Sequence, residues 1–190
     1  MSEPIRKTRR AWNEPGQAHF LTYSCFQRLP LLTRPRSRQW VIDALATVRR
    51  EQDVAVFGYD VMPEHVHVLL YPRRPRYEMR TILAGLKRPV SEAAKAYLDA
   101  IGAREWLDRL TVRYPSRTVF RFWQPGGGFD DNVVRDRPIP AILDYIHANP
   151  VRRELCAAPP DWEWSSARFW EGMRDVPLAM DDPREVEPGI

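Results

Sequence analysis

The sequence predicts an α+β fold, a small antiparallel sheet with helices packed on it. Short runs rich in aromatic and β-branched residues alternate with stretches whose apolar residues recur at helical spacing. Two of those runs, DVAVFGYDVM and HVHVLLY, are separated only by Pro63 and Glu64, which is hairpin spacing. The 190 residues suit one domain, large enough to bury its own core. No apolar run is long enough for a membrane span. The N-terminus, MSEPIRKTRRAW, lacks the apolar stretch of a secretion signal. Two cysteines, Cys25 and Cys156, can build neither a disulfide framework nor a four-thiolate zinc site. A cytoplasmic location is expected.

Residues 1–15 show no periodicity and read as a basic arm before a domain at 16–170. Residues 18–26, AHFLTYSCF, read as a strand. Residues 37–51 read as a helix, with Trp40, Ile42, Ala44, Leu45 and Val48 at helical spacing and Ser37 as cap. Residues 53–62 and 65–71 are the hairpin strands. A long helix is expected over 76–101, broken near Pro89, and a short one over 103–113. Residues 117–124 read as a strand, and PGGGFDD after it as a flexible loop. Residues 138–148 read as a helix that ends before Pro150. Trp162, Trp164 and Trp170 mark a closing segment, read as core or lid. The tail, 171–190, is acidic and expected to lie loose. Strand, helix, strand, strand, helix, strand, helix is the order of a ferredoxin-like sandwich, with helices expected on one face of the sheet.

Net charge is +4, unevenly placed: residues 1–40 hold eight Lys or Arg against two Asp or Glu, and residues 171–190 hold two against six. A basic front end points to an anionic partner, most simply nucleic acid. The candidate contacts are Arg6, Lys7, Arg9 and Arg10 in the arm and Arg34, Arg36 and Arg38 in the following loop. Arg73, Arg74 and Arg76 after the hairpin, and Lys87 and Arg88 on the long helix, complete the set. A solvated charged surface would carry many of the same residues.

His65 and His67 sit two apart on a strand, so both point to one face. Imidazoles at that spacing can converge on one metal ion, although a third ligand must come from elsewhere. A pair of half-buried strand histidines would look the same. A barrel amidohydrolase needs more chain and more histidines than the four present, and a histidine-triad hydrolase needs His where Leu69 stands. Ile139, Ile142, Leu143 and Ile146 form the buried stripe of a helix, with Tyr145 on its flank. Asn149, four residues on, can present an amide oxygen beside the Tyr145 hydroxyl, or simply cap the helix end.

The strings P-E-H-V-H-V-L-L (63–70), W-Q (123–124), Y-I-H-A-N-P-V-R (145–152) and W-x-W-S-S (162–166) occur in one order over residues 16–170. In that order they resemble the single-tyrosine HUH transposases, most closely their REP-associated branch. The resemblance implies an HUH nuclease fold, a divalent ion (Mg or Mn) on His65 and His67, and Tyr145 as the nucleophile on single-stranded or hairpin DNA. It puts Asn149 where relatives place a further ligand. PGGGFDD is richer in glycine than the family pattern. REP-like palindromic hairpins are the implied DNA partner, with monomer or homodimer both open. The reaction implied is cleavage and rejoining through a 5′-phosphotyrosine. Two alternatives stay open: a domesticated hairpin-binding protein without strand transfer, and a replication-initiator-type nicking enzyme. No general base is identifiable. Glu64 is expected to face away from His65, and His147 lies roughly 200° around the helix from Tyr145.

Overall fold

The computed structural model describes residues 13–133 and 138–186. Its main sheet is built from β1 (Ala18–Ser24), β2 (Val54–Val61), β3 (His65–Pro72) and β6 (Phe129–Val133), in the order β2-β3-β1-β6. Every neighbouring pair is antiparallel. The helices are α1 (Pro35–Glu51), α2 (Met79–Ala100), α3 (Arg104–Arg109) and α4 (Ile139–Arg152), with two single turns, α5 (Ala167–Trp170) and α6 (Pro183–Val186), near the end. β4 (Thr111–Tyr114) and β5 (Arg117–Phe120) pair only with each other.

Helices cover both faces of the sheet, not one. Leu21 and Tyr23 of β1 and Val66, Val68 and Leu70 of β3 enter a core beneath α1 and α2. Ala18, Phe20 and Leu69 enter a second core with Ile139, Ile142, Leu143 and Ile146 of α4. The physical reason is that all eight residues of β2 are buried, and strands apolar on both sides need a layer on each. A bulge between Val56 and Gly58 adjusts β2 under α4. A side chain at Gly58 would run into Leu143, so glycine sets how closely α4 approaches.

Several elements differ from the sequence expectation. α2 runs through Pro89 unbroken, because its buried stripe of Met79, Ile82, Leu86, Val90 and Ala94 continues on both sides of the proline. Packing along that stripe offsets a cost on the order of 3 kcal/mol for an interior proline. α4 likewise runs through Pro150 to Arg152. Ser37 does not cap α1: Pro35 opens the helix, and the Ser37 hydroxyl donates back to the Arg34 carbonyl at 2.9 Å. Residues 103–113 divide into α3 and β4, and the strand expected over 117–124 ends at Phe120. The second half of PGGGFDD is an edge strand, since β1 offers Phe129, Asp130 and Asp131 a free ladder.

The acidic tail is pinned up to Val186, the last described residue. Asp181 accepts from the Val56 amide at 2.9 Å and from Arg49 and Arg73 at 2.8 Å each, and Met180 is buried. The charge that suggested a loose tail is what ties it to β2 and α1.

Asp60 lies opposite His67 in the β2–β3 ladder, fully buried, and among the described residues neither carboxyl oxygen has a hydrogen-bond partner. Burial raises its pKa well above the usual carboxylate value, against weaker pulls from the Trp162 indole and Arg38. The folded protein therefore keeps a proton that the unfolded chain releases above about pH 4, and stability falls as pH rises through that window. Asp60→Asn, a neutral isostere, is expected to stabilise by about 1–3 kcal/mol near neutral pH, with the gain shrinking toward pH 4. Thermal melts of both proteins at pH 4.5 and pH 8 check this; equal shifts at the two pH values would contradict it.

Candidate active site

On the α4 side of the sheet, three elements and one turn converge. β3 presents His65 and His67, both buried. β1 places Thr22 opposite His67, with Phe20 two residues along on the same face. α4 lays Tyr145 across them, and the turn before β3 brings Glu64.

The two Nε2 atoms are 3.0 Å apart, with ring planes at 85°. Outer contacts orient both rings. Glu64 Oε1 sits 3.2 Å from His65 Nδ1, and Thr22 Oγ1 sits 2.8 Å from His67 Nδ1. Arg153 donates to the same Glu64 oxygen at 2.8 Å. Desolvation opposes ionisation of Glu64, but Arg153 and His65 outweigh it and hold the carboxyl below its usual range. Burial lowers the His65 pKa and, with the neighbouring His65, brings His67 down to about 3. Burial thus favours the neutral form of both imidazoles, the form that binds a metal.

Two facing Nε2 atoms at this separation require a proton on the line between them or a cation shared by both. The first needs no added charge: one neutral ring donates its Nε2–H to the Nε2 lone pair of the other, whose own proton sits on Nδ1. Ligands about 2.1 Å from an octahedral ion, at right angles, stand roughly 3.0 Å apart; tetrahedral positions would put them nearer about 3.4 Å. The separation is thus compatible with a shared divalent ion as well as with an Nε2–H···Nε2 hydrogen bond, and a hard ion would need oxygen ligands beside the two imidazoles. Among the described residues no group of three or more His, Cys, Asp or Glu side chains is placed to hold a metal. Remaining ligands would be an amide oxygen, water or a phosphate oxygen.

Tyr145 is 44% exposed. Its ring centroid is 5.9 Å from that of His67 and 5.9 Å from that of Phe20, which itself stacks on His67 at 5.6 Å. The Arg152 guanidinium lies 5.4 Å from the Tyr145 centroid, seven residues along the same helix face. Asn149 remains inside α4. Pro150 has no N–H for the Ile146 carbonyl, and the Asn149 amide donates to that carbonyl at 3.4 Å and to the Tyr145 carbonyl at 2.8 Å. Those bonds turn its NH₂ end into the helix and leave Oδ1 as the end able to meet a cation. His147 points elsewhere: its Nε2 is 2.8 Å from Ser166 Oγ, and burial lowers its pKa to about 4.

Of the expected DNA contacts, Arg6, Lys7, Arg9 and Arg10 lie outside the described residues. Arg34, Arg36, Arg74, Arg76 and Arg88 are exposed. Arg38 is not available: it is buried, donates to the Leu32 carbonyl at 2.7 Å and lies over the Trp162 ring. Its aliphatic stem and flat head fill space beneath the closing tryptophans. Arg73 is committed to Asp181. Lys87 donates to the Gly126 carbonyl at 2.8 Å and flanks an open groove of 1210 Å³ between α2 and the Gly126–Gly128 segment. Phe129, at that groove, meets Phe20 edge-on at 6.0 Å.

Sequence reasoning missed Phe20, Thr22, Glu64, Arg152 and Arg153. Glu64 was misplaced because strand alternation was extended into the turn; β3 begins at His65. The signal for Arg152 was present, since Tyr145 and Arg152 are two helical turns apart.

No protein-family model matches the chain, and no curated protein is significantly similar to it. Among solved structures, the REP-associated tyrosine transposase bound to a REP hairpin superposes with a TM-score of 0.66 at 20% identity, over 95% of this chain and 93% of that one. A protein of Deinococcus radiodurans R1 described as a candidate transposase gives 0.46 at 16% identity, over 73% of this chain and 95% of that one, too distant to carry an argument. The antiparallel sheet with helices on both faces thus has the same fold as the solved REP-associated tyrosine transposase.

Proposed function

We propose that the chain is a metal-dependent, transposase-like enzyme that cleaves and rejoins single-stranded or hairpin DNA through a 5′-phosphotyrosine. One observation carries the reading: the Nε2 atoms of two buried imidazoles face each other at 3.0 Å while the ring of an exposed tyrosine stands 5.9 Å from one of them. His65 and His67, with the Asn149 oxygen as a further candidate, would hold Mg²⁺ or Mn²⁺. Bound there, such an ion would supply neutralisation of charge on the scissile phosphate and help to orient it. Tyr145 Oη attacks phosphorus, the P–O3′ bond breaks, and the departing oxygen takes a proton to become a 3′-hydroxyl. The new ester conserves the bond for resealing by another 3′-hydroxyl. Arg152, the last residue of α4, and Arg153, just after it, bring positive charge beside the nucleophile and the Glu64–His65 pair. The solved transposase of the same fold is bound to a hairpin, which supports hairpin DNA as the substrate class.

The test is incubation with a labelled hairpin carrying a single-stranded extension, in Mg²⁺ or Mn²⁺. An adduct that survives denaturation and disappears with protease is expected. Cleavage without any protein–DNA adduct would overturn the reading. Binding should also weaken steeply with salt. With about six phosphates neutralised on unpaired DNA, affinity should fall on the order of a hundredfold between 50 and 200 mM salt, measurable by fluorescence anisotropy.

A further inference from the structure

The β4–β5 ribbon projects from the fold with a composition that packing does not explain. Trp106 of α3 and Tyr114 at the end of β4 are 39% and 41% exposed. Each carries a guanidinium over its ring: Arg109 stands 5.1 Å from the Trp106 centroid and Arg117 5.6 Å from that of Tyr114. Arg121 reaches the Tyr114 hydroxyl at 3.4 Å. Residues 104–121 hold five Arg and two acidic residues, and one of the latter, Asp108, is already paired with Arg113 at 3.2 Å. Buried Leu110 anchors the base of the ribbon; Arg113 to Thr118 are exposed.

The ribbon is rooted at the end of β1. After β5 the chain returns to the end of β1: the Phe122 carbonyl accepts from the Phe26 amide at 2.8 Å, and the Gln124 amide donates to the Ser24 carbonyl at 2.9 Å. Ser24 is the β1 residue opposite His65. The histidine pair is thus one strand away from the foot of the ribbon, whose Phe122 and Trp123 pack into the α1–α2 core on the other face of the sheet.

Flat rings with adjacent guanidinium groups suit unpaired nucleotides. A base stacks on an aromatic face regardless of its identity, while the guanidinium edge is free for the phosphate. Bases inside a duplex are already stacked and offer no such face. Resting on the DNA-processing function proposed above, we propose that the β4–β5 ribbon with Trp106 and Arg109 is a stacking platform for unpaired nucleotides of the substrate, separate from the histidine–tyrosine site.

The experiment compares a blunt hairpin with the same hairpin bearing a single-stranded extension, using the full chain and Trp106→Ala/Tyr114→Ala. Both residues are exposed, so the melting temperature should hold. The variant should lose at least about fivefold in affinity for the extended hairpin, and little for the blunt one. Arg109→Gln/Arg117→Gln should make the salt dependence shallower by roughly 1.4 in the log–log slope. Adduct formation at saturating DNA should be unchanged in both. If the variants keep wild-type affinity and slope while the wild type binds and forms the adduct, the platform is refuted alone. If the wild type binds neither DNA, both proposals fall.

Discussion

Tyr145→Phe protein, given hairpin DNA and a divalent ion, is expected to form no covalent adduct while still binding the DNA. The substitution removes one oxygen and leaves the ring against Phe20, His67 and Arg152. Among the described residues the hydroxyl has no hydrogen-bond partner, so stability should change by less than about 1 kcal/mol. No other tyrosine can substitute. Tyr23 and Tyr59 are sealed in the core, and burial raises their pKa further from the range in which a phenol loses its proton. Tyr77 is pushed up to about 12 by burial and by Asp130, and is committed to His19 and the Glu14 carbonyl. Tyr114 stands on the ribbon, Tyr97 lies on α2 beneath the Arg36 guanidinium, and Tyr71 stacks on Phe57 at the end of β3 away from His65. Cleavage should fall by at least about a thousandfold, because a lost nucleophile removes an entire pathway. Denaturing gels report the adduct and anisotropy reports binding. A surviving adduct in the variant would falsify Tyr145 as nucleophile.

What the sequence made legible follows from which interactions are local. The period-2 placement of His65 and His67 and the i, i+3, i+4, i+7 stripe of α4 are local patterns, and the structure contains both as read. The partners of those residues are not local. Thr22 meets His67 only because β1 pairs with β3 in one register, and Arg153 meets Glu64 only once α4 lies over the sheet. Prolines misled twice for the same reason. Pro89 and Pro150 act on the backbone locally, but the apolar stripe of α2 and the Asn149 side chain of α4 compensate from beyond the proline's own residue. β6 was invisible because its middle, Asp130, Asp131 and Asn132, has little strand propensity of its own; the open edge of β1 makes it a strand. Arg38 shows the limit of reading charge: a guanidinium reads as surface until two tryptophans close over it.

Removing the metal site should be as damaging as removing the nucleophile, by a different route. Cleavage by the wild type should stop in EDTA and return with added Mg²⁺ or Mn²⁺. His67→Ala and His65→Ala should each lower cleavage by at least about a hundredfold, since a single remaining imidazole holds a hard cation weakly. His67 is buried against Phe20, so its loss can also loosen the fold. Two milder variants separate the effects. Glu64→Gln keeps the volume but gives up the carboxylate that orients His65, and Thr22→Val removes the hydroxyl beside His67 Nδ1. Each should weaken metal affinity about 10- to 100-fold, with the larger loss for Glu64, whose charge also anchors Arg153. Binding of Mn²⁺, read directly by electron paramagnetic resonance without DNA, reports the site independently of catalysis. The expected order of affinity is wild type, Thr22→Val, Glu64→Gln, and then the histidine variants. Undiminished Mn²⁺ binding by His65→Ala/His67→Ala, or full cleavage in EDTA, would show that the converging imidazoles serve the packing of β1, β3 and α4 and not a cation.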